Sequence, residues 1–275
     1  MKPDSIVEKI QRWRDRKPEG EHYLDRPTKD RAESLEILDS FPIRLPRRDY
    51  QKFINGFSTE YLLRTRRRDL IKHYLLFRRF REQGLITLLS QRKDAEWDLT
   101  VLSPDHPFLF SQVSGLLTSR GMDIRMVEAF THSSGCALDH FSFIDRKKFL
   151  RTADARKNFQ MILERYLGTD SLPQDLLPAE RQFRLFKPDE VSIDIIQLRD
   201  LSQTALSIEC PDRQGLLFRI STTLSRLGVN IESAFIETED ERAHDLFLIV
   251  KEGKKIPQSS HAELIKDLSR QLVAA

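Results

Sequence analysis

Leu206–Ile231, LSIECPDRQGLLFRISTTLSRLGVNI, aligns without a gap on Leu99–Ile124, LTVLSPDHPFLFSQVSGLLTSRGMDI, at an offset of 107 residues. Pro211-Asp212 meets Pro104-Asp105. Leu224 meets Leu117, Gly228 meets Gly121 and Ile231 meets Ile124. After one deleted residue, HDLFLIV from His244 meets LDHFSFI from Leu138. A repeat of this length carries a whole folding unit, so the two copies share an order of elements.

Each copy reads as strand, turn, helix, strand, hairpin, strand, helix. Leu99 with Val101, and Leu206 with Ile208, alternate as in a strand. Pro-Asp then ends the strand, and Asp105 and Asp212 fall where a helix N-cap is expected. Leu109, Val113, Leu116 and Leu117 take up a helical period in copy one. Leu216, Ile220, Leu224 and Leu227 do so in copy two. Gly121 and Gly228 follow as C-terminal glycines. Ser133-Ser134-Gly135 and Glu239-Asp240-Glu241 signal hairpins, and helices are expected around Ala155–Leu167 and Ala262–Leu272.

This is most of a βαββαβ, ferredoxin-like unit. The expected class is α+β: two such units behind a mainly helical, basic N-terminal region. The expected boundaries are 1–96, 97–188 and 189–275. A fourth strand is still needed in each unit. Residues 191–197 are assigned to the second sheet and the stretch from Phe183 to the first. Leu246–Val250 is apolar on both faces, so both faces of that strand are expected to be covered, by the other copy or by a second chain. In copy one Phe141 and Phe143 alternate with His140 and Ser142, a one-sided pattern.

The chain has 275 residues, a length for about two domains. Hydrophobic residues make up 39% and charged residues 32%, and there are 17 Phe against two Trp, which predicts Phe-rich cores of modest size. Residues 1–96 carry 23 of the 45 Lys and Arg but 16 of the 42 Asp and Glu, a balance of +7 against −4 for the remainder. The Arg64, Arg66, Arg67, Arg68 run reads as a solvated helix face. It lacks the motifs of a nucleic-acid binder, so nucleic acid is not an expected partner. No stretch is long and apolar enough for a membrane span, and no secretory signal is visible. Two cysteines, Cys136 and Cys210, make neither a disulfide framework nor a metal site, which points to a reduced, cytoplasmic setting.

The stretch from Pro211, PDRQGLLFRISTTLSRLGVNIESAFIET, resembles an ACT domain, the small-molecule sensing module of amino-acid metabolism. The tandem pair, with LDHF and HDLF, is similar to the C-terminal regulatory part of the bacterial protein-PII uridylyltransferase/uridylyl-removing enzymes. The likeness extends to FSTEYLLRTRRRDLIKHYLLF from Phe57. The catalytic domains of that family need a Gly-Ser pair with close Asp carboxylates, and His with His-Asp metal ligands. Residues 1–96 contain neither pattern. His244-Asp245 belongs to the repeat. No nucleophile elbow or Gly-rich phosphate loop occurs elsewhere. The expectation is a non-catalytic sensor without a cofactor or metal.

The candidate ligand residues are Asp212, Arg213, Gly215, Leu216 and Leu217 in the turn of copy two. A capping Asp leaves backbone N–H groups facing the turn, glycine lets a ligand approach the backbone, and a helix N-terminus favours a carboxylate. The resemblance adds Asn230 and Ile231, because ACT ligands lie between this turn and the second-strand start of a neighbouring unit. Copy one offers Asp105 and Asp123, with Phe108 where copy two has Gly215. His132 and His140 flank one hairpin, read as solvated. His73 reads as a surface residue of a basic helix. Asp139 and Asp245 read as carboxylates that satisfy local backbone N–H groups.

The leading reading is a regulatory protein that senses a small amino acid, glutamine on the family resemblance, and pairs its ACT units within the chain or in a homodimer. A PII-type or other protein partner is compatible with it. The alternatives are a ligand-free interaction or dimerisation module, and a regulatory subunit that acts with a separate nucleotidyltransferase chain.

Overall fold

The computed structural model describes residues 27–28, 30–40, 45–176, 183–197 and 202–274. Contacts divide the chain into two compact units. One holds the chain up to Ile86 with Leu102–Pro104 and Phe130–Leu138, and the other holds Thr87–Val101, Asp105–Ala129 and Asp139–Ala275.

Among its described residues the first unit contains four α-helices, α1 (Arg31–Glu36), α2 (Arg47–Gly56), α3 (Thr59–Arg64) and α4 (Arg67–Gln83). Asp30 and Ser58 cap α1 and α3 by accepting the Glu33 and Tyr61 amides. The core is aromatic. Phe53 lies 5.3 Å from Phe77 and 5.5 Å from Tyr74, and Phe57 stacks on Tyr61 at 4.0 Å. Edge and stacked geometries of this kind add to the area that the rings bury.

Four polar residues of this unit depart from their expected exposure. His132 is buried, 4.7 Å from the Phe77 ring and 4.9 Å from Phe57. Its Nδ1 accepts the Ser134 amide at 3.0 Å, and burial lowers its pKa. His73 is buried with Nδ1 2.9 Å from the Tyr61 hydroxyl. In the Arg run, Arg64 and Arg67 are buried, and Arg67 pairs with Glu33. Only Arg68, with Arg78, Arg79 and Arg81 beyond it, is exposed. The α4 helix turns one edge inward, and the arginine on that edge is matched by a carboxylate 34 residues away.

Most of the repeat lies in the second unit, while Ile86 and the strand ends Leu102–Pro104, Phe130–His132 and Cys136–Leu138 belong to the first. Copy one is β1 (Ile86–Lys93), β2 (Glu96–Pro104), α5 (Leu109–Ser119), β3 (Asp123–His132), β4 (Cys136–Ile144) and α6 (Ala153–Leu167). Copy two is β5 (Ser192–Ile196), β6 (Thr204–Pro211), α7 (Leu216–Arg226), β7 (Val229–Glu239), β8 (Arg242–Lys251) and α8 (His261–Leu272). The eight strands form one sheet in the order β1-β2-β4-β3-β7-β8-β6-β5. Within each copy this is the ferredoxin-like strand order. The strand that the βαββαβ plan places last instead precedes the copy and pairs beside its first strand.

Residues 192–196 complete the second sheet as expected, with Ile193 opposite Ile208 and Ile195 opposite Leu206. The stretch from Phe183 does not close the first. Phe186 makes an isolated parallel bridge to Val273, and β1 fills that edge instead. The β1 strand lies ahead of the residues that align in the repeat, so the alignment gave no sign of it.

The copies join edge to edge. β3 pairs antiparallel with β7, with Val127 opposite Ile236 and Glu128 opposite Phe235. Leu246–Val250 is buried on both faces, as its composition required. In β4, between β2 and β3, the expected one-sided pattern gives way to burial throughout except at His140 and Ile144. Cys136 and Cys210 are buried and form no disulfide.

Candidate ligand-binding site

β6 ends at Pro211, and the chain turns through Asp212–Gly215 into α7. Gly215 is the N-cap at φ +90°, and its equivalent Phe108 precedes α5 at φ +67°. The turn therefore demands left-handed backbone in both copies. Glycine adopts it freely, whereas a side chain costs roughly 1–2 kcal/mol.

Neither Asp caps its helix. Both helices lack a side-chain cap, since three residues separate each Asp from the first helical residue. Asp212 instead accepts the Thr238 hydroxyl from β7 at 2.9 Å, and its amide donates to the Glu241 carbonyl at 2.7 Å. Asp105 accepts the Asn230 side-chain amide at 3.1 Å.

That contact splits the candidate residues between two places. Asn230 starts β7 and meets the turn of copy one. Asp123, its equivalent at the start of β3, lies with the turn of copy two. There, a cavity of about 40 Å³ is lined by Asp123, Asp212, Gly215, Thr118, Thr238 and Asp245, among others. Leu216 and Leu217 are buried at its back. Ile231 is half-buried on β7 opposite Ile249. Arg213 donates to the carbonyls of Arg184 and Leu185 at 3.1 and 2.8 Å and pairs with Glu190 at 3.3 Å. Its guanidinium lies 4.1 Å from the Phe186 ring. These contacts tie the turn to the segment that follows copy one.

A larger groove of about 700 Å³ shares Thr118, Arg213 and Gln214 with the cavity. Arg120, Lys147 and Arg184 line it, opposed by Asp175. Gln214 Nε2 donates to the Thr118 carbonyl at 3.0 Å and so joins the turn to the end of α5.

Four carboxylates at the turns have raised pKa values. Burial raises Asp105, and the Asn230 hydrogen bond partly offsets it. Burial raises Asp212, opposed by the Thr238 hydrogen bond and reinforced by the charge of Asp123. Asp139, on β4, is pushed up to about 8 by burial and then by Asp105. Asp245, on β8, is held well above the usual carboxylate range by burial and then by Asp212. Both Asp245 oxygens are without a hydrogen-bond partner among the described residues, contrary to the reading of a carboxylate that satisfies nearby N–H groups. A β8 position between two hydrogen-bonded strands leaves its surrounding backbone amides engaged in the sheet. Nothing in the turn's own sequence marks Thr118, Thr238 or Asp245 as lining the cavity. For Asp245 the repeat, which aligns it with Asp139, is the available signal. His132 and His140 do not combine: His140 lies 3.3 Å from the Thr100 hydroxyl. Among the described residues no group of three or more His, Cys, Asp or Glu is placed to hold a metal.

Residues 204–268 match the ACT domain family, a span that includes the whole turn and the cavity strands of copy two. With the same fold in copy one, the class is a protein built on tandem ACT-like domains. It resembles the regulatory part of the bifunctional uridylyltransferase/uridylyl-removing enzymes. It is 30% identical to that of Nitrobacter winogradskyi over 186 residues, 65% of this chain and 20% of the relative. It is 26% identical to that of Rhodopseudomonas palustris over 243 residues, 84% of this chain and 26% of the relative. The chain thus spans about a quarter or less of these relatives. Among solved structures, aspartate kinase from Synechocystis aligns with a TM-score of 0.39 and 16% identity, over 66% of this chain and 28% of that one. No described helix is long and apolar enough to cross a membrane.

Proposed function

We propose that this chain is a non-catalytic regulatory module that senses a small amino acid at the Asp212–Leu217 turn. The observation that carries the reading is the ACT match over that turn, where a left-handed glycine opens the backbone beside the cavity and the cation-lined groove. The resemblance to uridylyltransferase/uridylyl-removing enzymes makes glutamine the first ligand to test, and a PII-type protein the first partner. The test is calorimetric titration of the full chain with the twenty amino acids, repeated on Gly215→Phe. Binding in the wild type that is lost in a folded Gly215→Phe supports the reading. Binding that survives the substitution removes the turn from consideration.

A second reading is a ligand-free interaction module. It is favoured by the β3–β7 junction, which joins the copies through protein contacts alone, and by the small cavity. Under it, none of the twenty amino acids changes the melting temperature.

A further inference from the structure

Each copy places one carboxylate in the turn and one on the fourth strand of its repeat: Asp105 with Asp139, and Asp212 with Asp245. The two turns differ in what meets the turn carboxylate: Asp212 accepts only an O–H, from Thr238 at 2.9 Å, among the side-chain hydrogen bonds of the described residues. Asp105 receives an N–H from Asn230. The residue equivalent to Asn230 is Asp123, which as a carboxylate has no proton to give. Asp123 is itself held by Arg125 and by Arg146, the latter at 3.2 Å. Arg213, the cation within the turn, is engaged by Glu190 and two carbonyls. Asp245 is 1% exposed, lines the cavity, and has no hydrogen-bond partner for either oxygen among the described residues. The charge that acts on it is that of Asp212, of its own sign. A buried carboxylate in such a place needs a donor, and one that brings positive charge answers both deficits. A cavity of about 40 Å³ has room for a group the size of a water molecule, which is also the size of an ammonium group.

We propose that the Asp212–Asp245 cavity takes a primary ammonium group, which supplies at copy two the N–H donation that Asn230 supplies at copy one. The group comes from the α-amine of an amino acid or from free ammonium. The first source rests on the reading of the turn as the ligand site, and the second does not.

The test uses the full chain as wild type, Asp245→Asn, Asp212→Asn and, as the control outside the cavity, Asp139→Asn. Each is titrated with the twenty amino acids, with the N-acetyl derivative of any that binds, and with ammonium chloride against potassium chloride at equal ionic strength. Calorimetry and melting temperature are read together. The expected result is at least 100-fold weaker binding of the acetylated compound, and at least tenfold weaker binding of the amino acid to Asp245→Asn but not to Asp139→Asn. If Asp245→Asn does not fold, Asp212→Asn carries the comparison. Should no amino acid bind while ammonium raises the wild-type melting temperature above potassium, and not that of Asp245→Asn, the source is the free ion: the cavity proposal stands and the amino-acid reading falls. An amino acid that is lost in Gly215→Phe, yet binds Asp245→Asn and its acetylated form undiminished, overturns the cavity proposal and leaves the turn. If neither amino acids nor ammonium bind the wild type, both are overturned.

Discussion

Ser114 and Ser221 are equivalent residues of the repeat, 107 positions apart, and their hydroxyl oxygens lie 3.3 Å from each other. They mark where α5 and α7 cross on the axis that relates the copies. In the sheet the same relation appears at Glu128 and Phe235, which are also equivalent and directly opposed. The copies thus meet through equivalent residues both in the helix layer and in the sheet.

The helix crossing should be sensitive to a single methyl. A Cβ at Gly115 would fall 2.7 Å from Phe218 and 2.9 Å from Leu176. Gly115→Ala is expected to lose roughly 1–3 kcal/mol by overpacking, although alanine is the better helix former. Urea denaturation measures it, and a stabilised variant would show that the crossing is loose.

A similar contact occurs in the helical unit. A Cβ at Gly56 would fall 1.8 Å from Nε2 of His132. Gly56→Ala should therefore displace the His132 ring from its aromatic surroundings and destabilise the protein by about 2–3 kcal/mol. The displacement is read from the His132 ring resonances by NMR.

Leu248 and Arg67 look unlike in sequence and should behave alike. Leu248 is 3% exposed on β8, and Leu248→Lys buries an unpaired ammonium. Arg67 is 4% exposed and pairs with Glu33, so Arg67→Glu sets two carboxylates against each other. Each is expected to cost roughly 3–4 kcal/mol in thermal or chemical unfolding. Adding Glu33→Arg should recover part of the loss in Arg67→Glu and none in Leu248→Lys. This reverses the solvated-face reading of the arginine run.

Asp139 gives stability a pH slope. Its folded pKa is raised to about 8, so between the usual carboxylate value and 8 the folded state binds a proton that the unfolded state has released. Its contribution is full at acid pH and is lost as pH rises through that window, by at most about 1.4 kcal/mol per pH unit. Asp139→Asn should remove this part of the slope, so that the variant gains on wild type between pH 5 and 8. A variant that keeps the wild-type slope would place the titration elsewhere.

The repeat made most of this fold legible, because Pro-Asp, the glycine after each first helix and the hairpin turns recur at fixed offsets. The edge strand β1 was not legible, since it lies outside the aligned residues. Burial of His132, His73 and Arg67 was hidden because each depends on a partner supplied by tertiary packing: Phe53 and Phe57, Tyr61, and Glu33. The site was half legible. Asp212 and Gly215 follow from the turn, and the resemblance sets Asn230 against the turn of a neighbouring unit; that this unit is copy one of the same chain follows from the Asn230–Asp105 contact and the β3–β7 junction.

The most direct measurement of the central claim is calorimetric titration of the intact chain with the twenty amino acids, followed by its melting temperature at saturation. The account predicts that at least one binds, that a 100-fold excess over its Kd adds about 2.7 kcal/mol of stability, and that a folded Gly215→Phe shows neither effect. No heat and no shift with any of the twenty, or an unchanged Kd in Gly215→Phe, would contradict it.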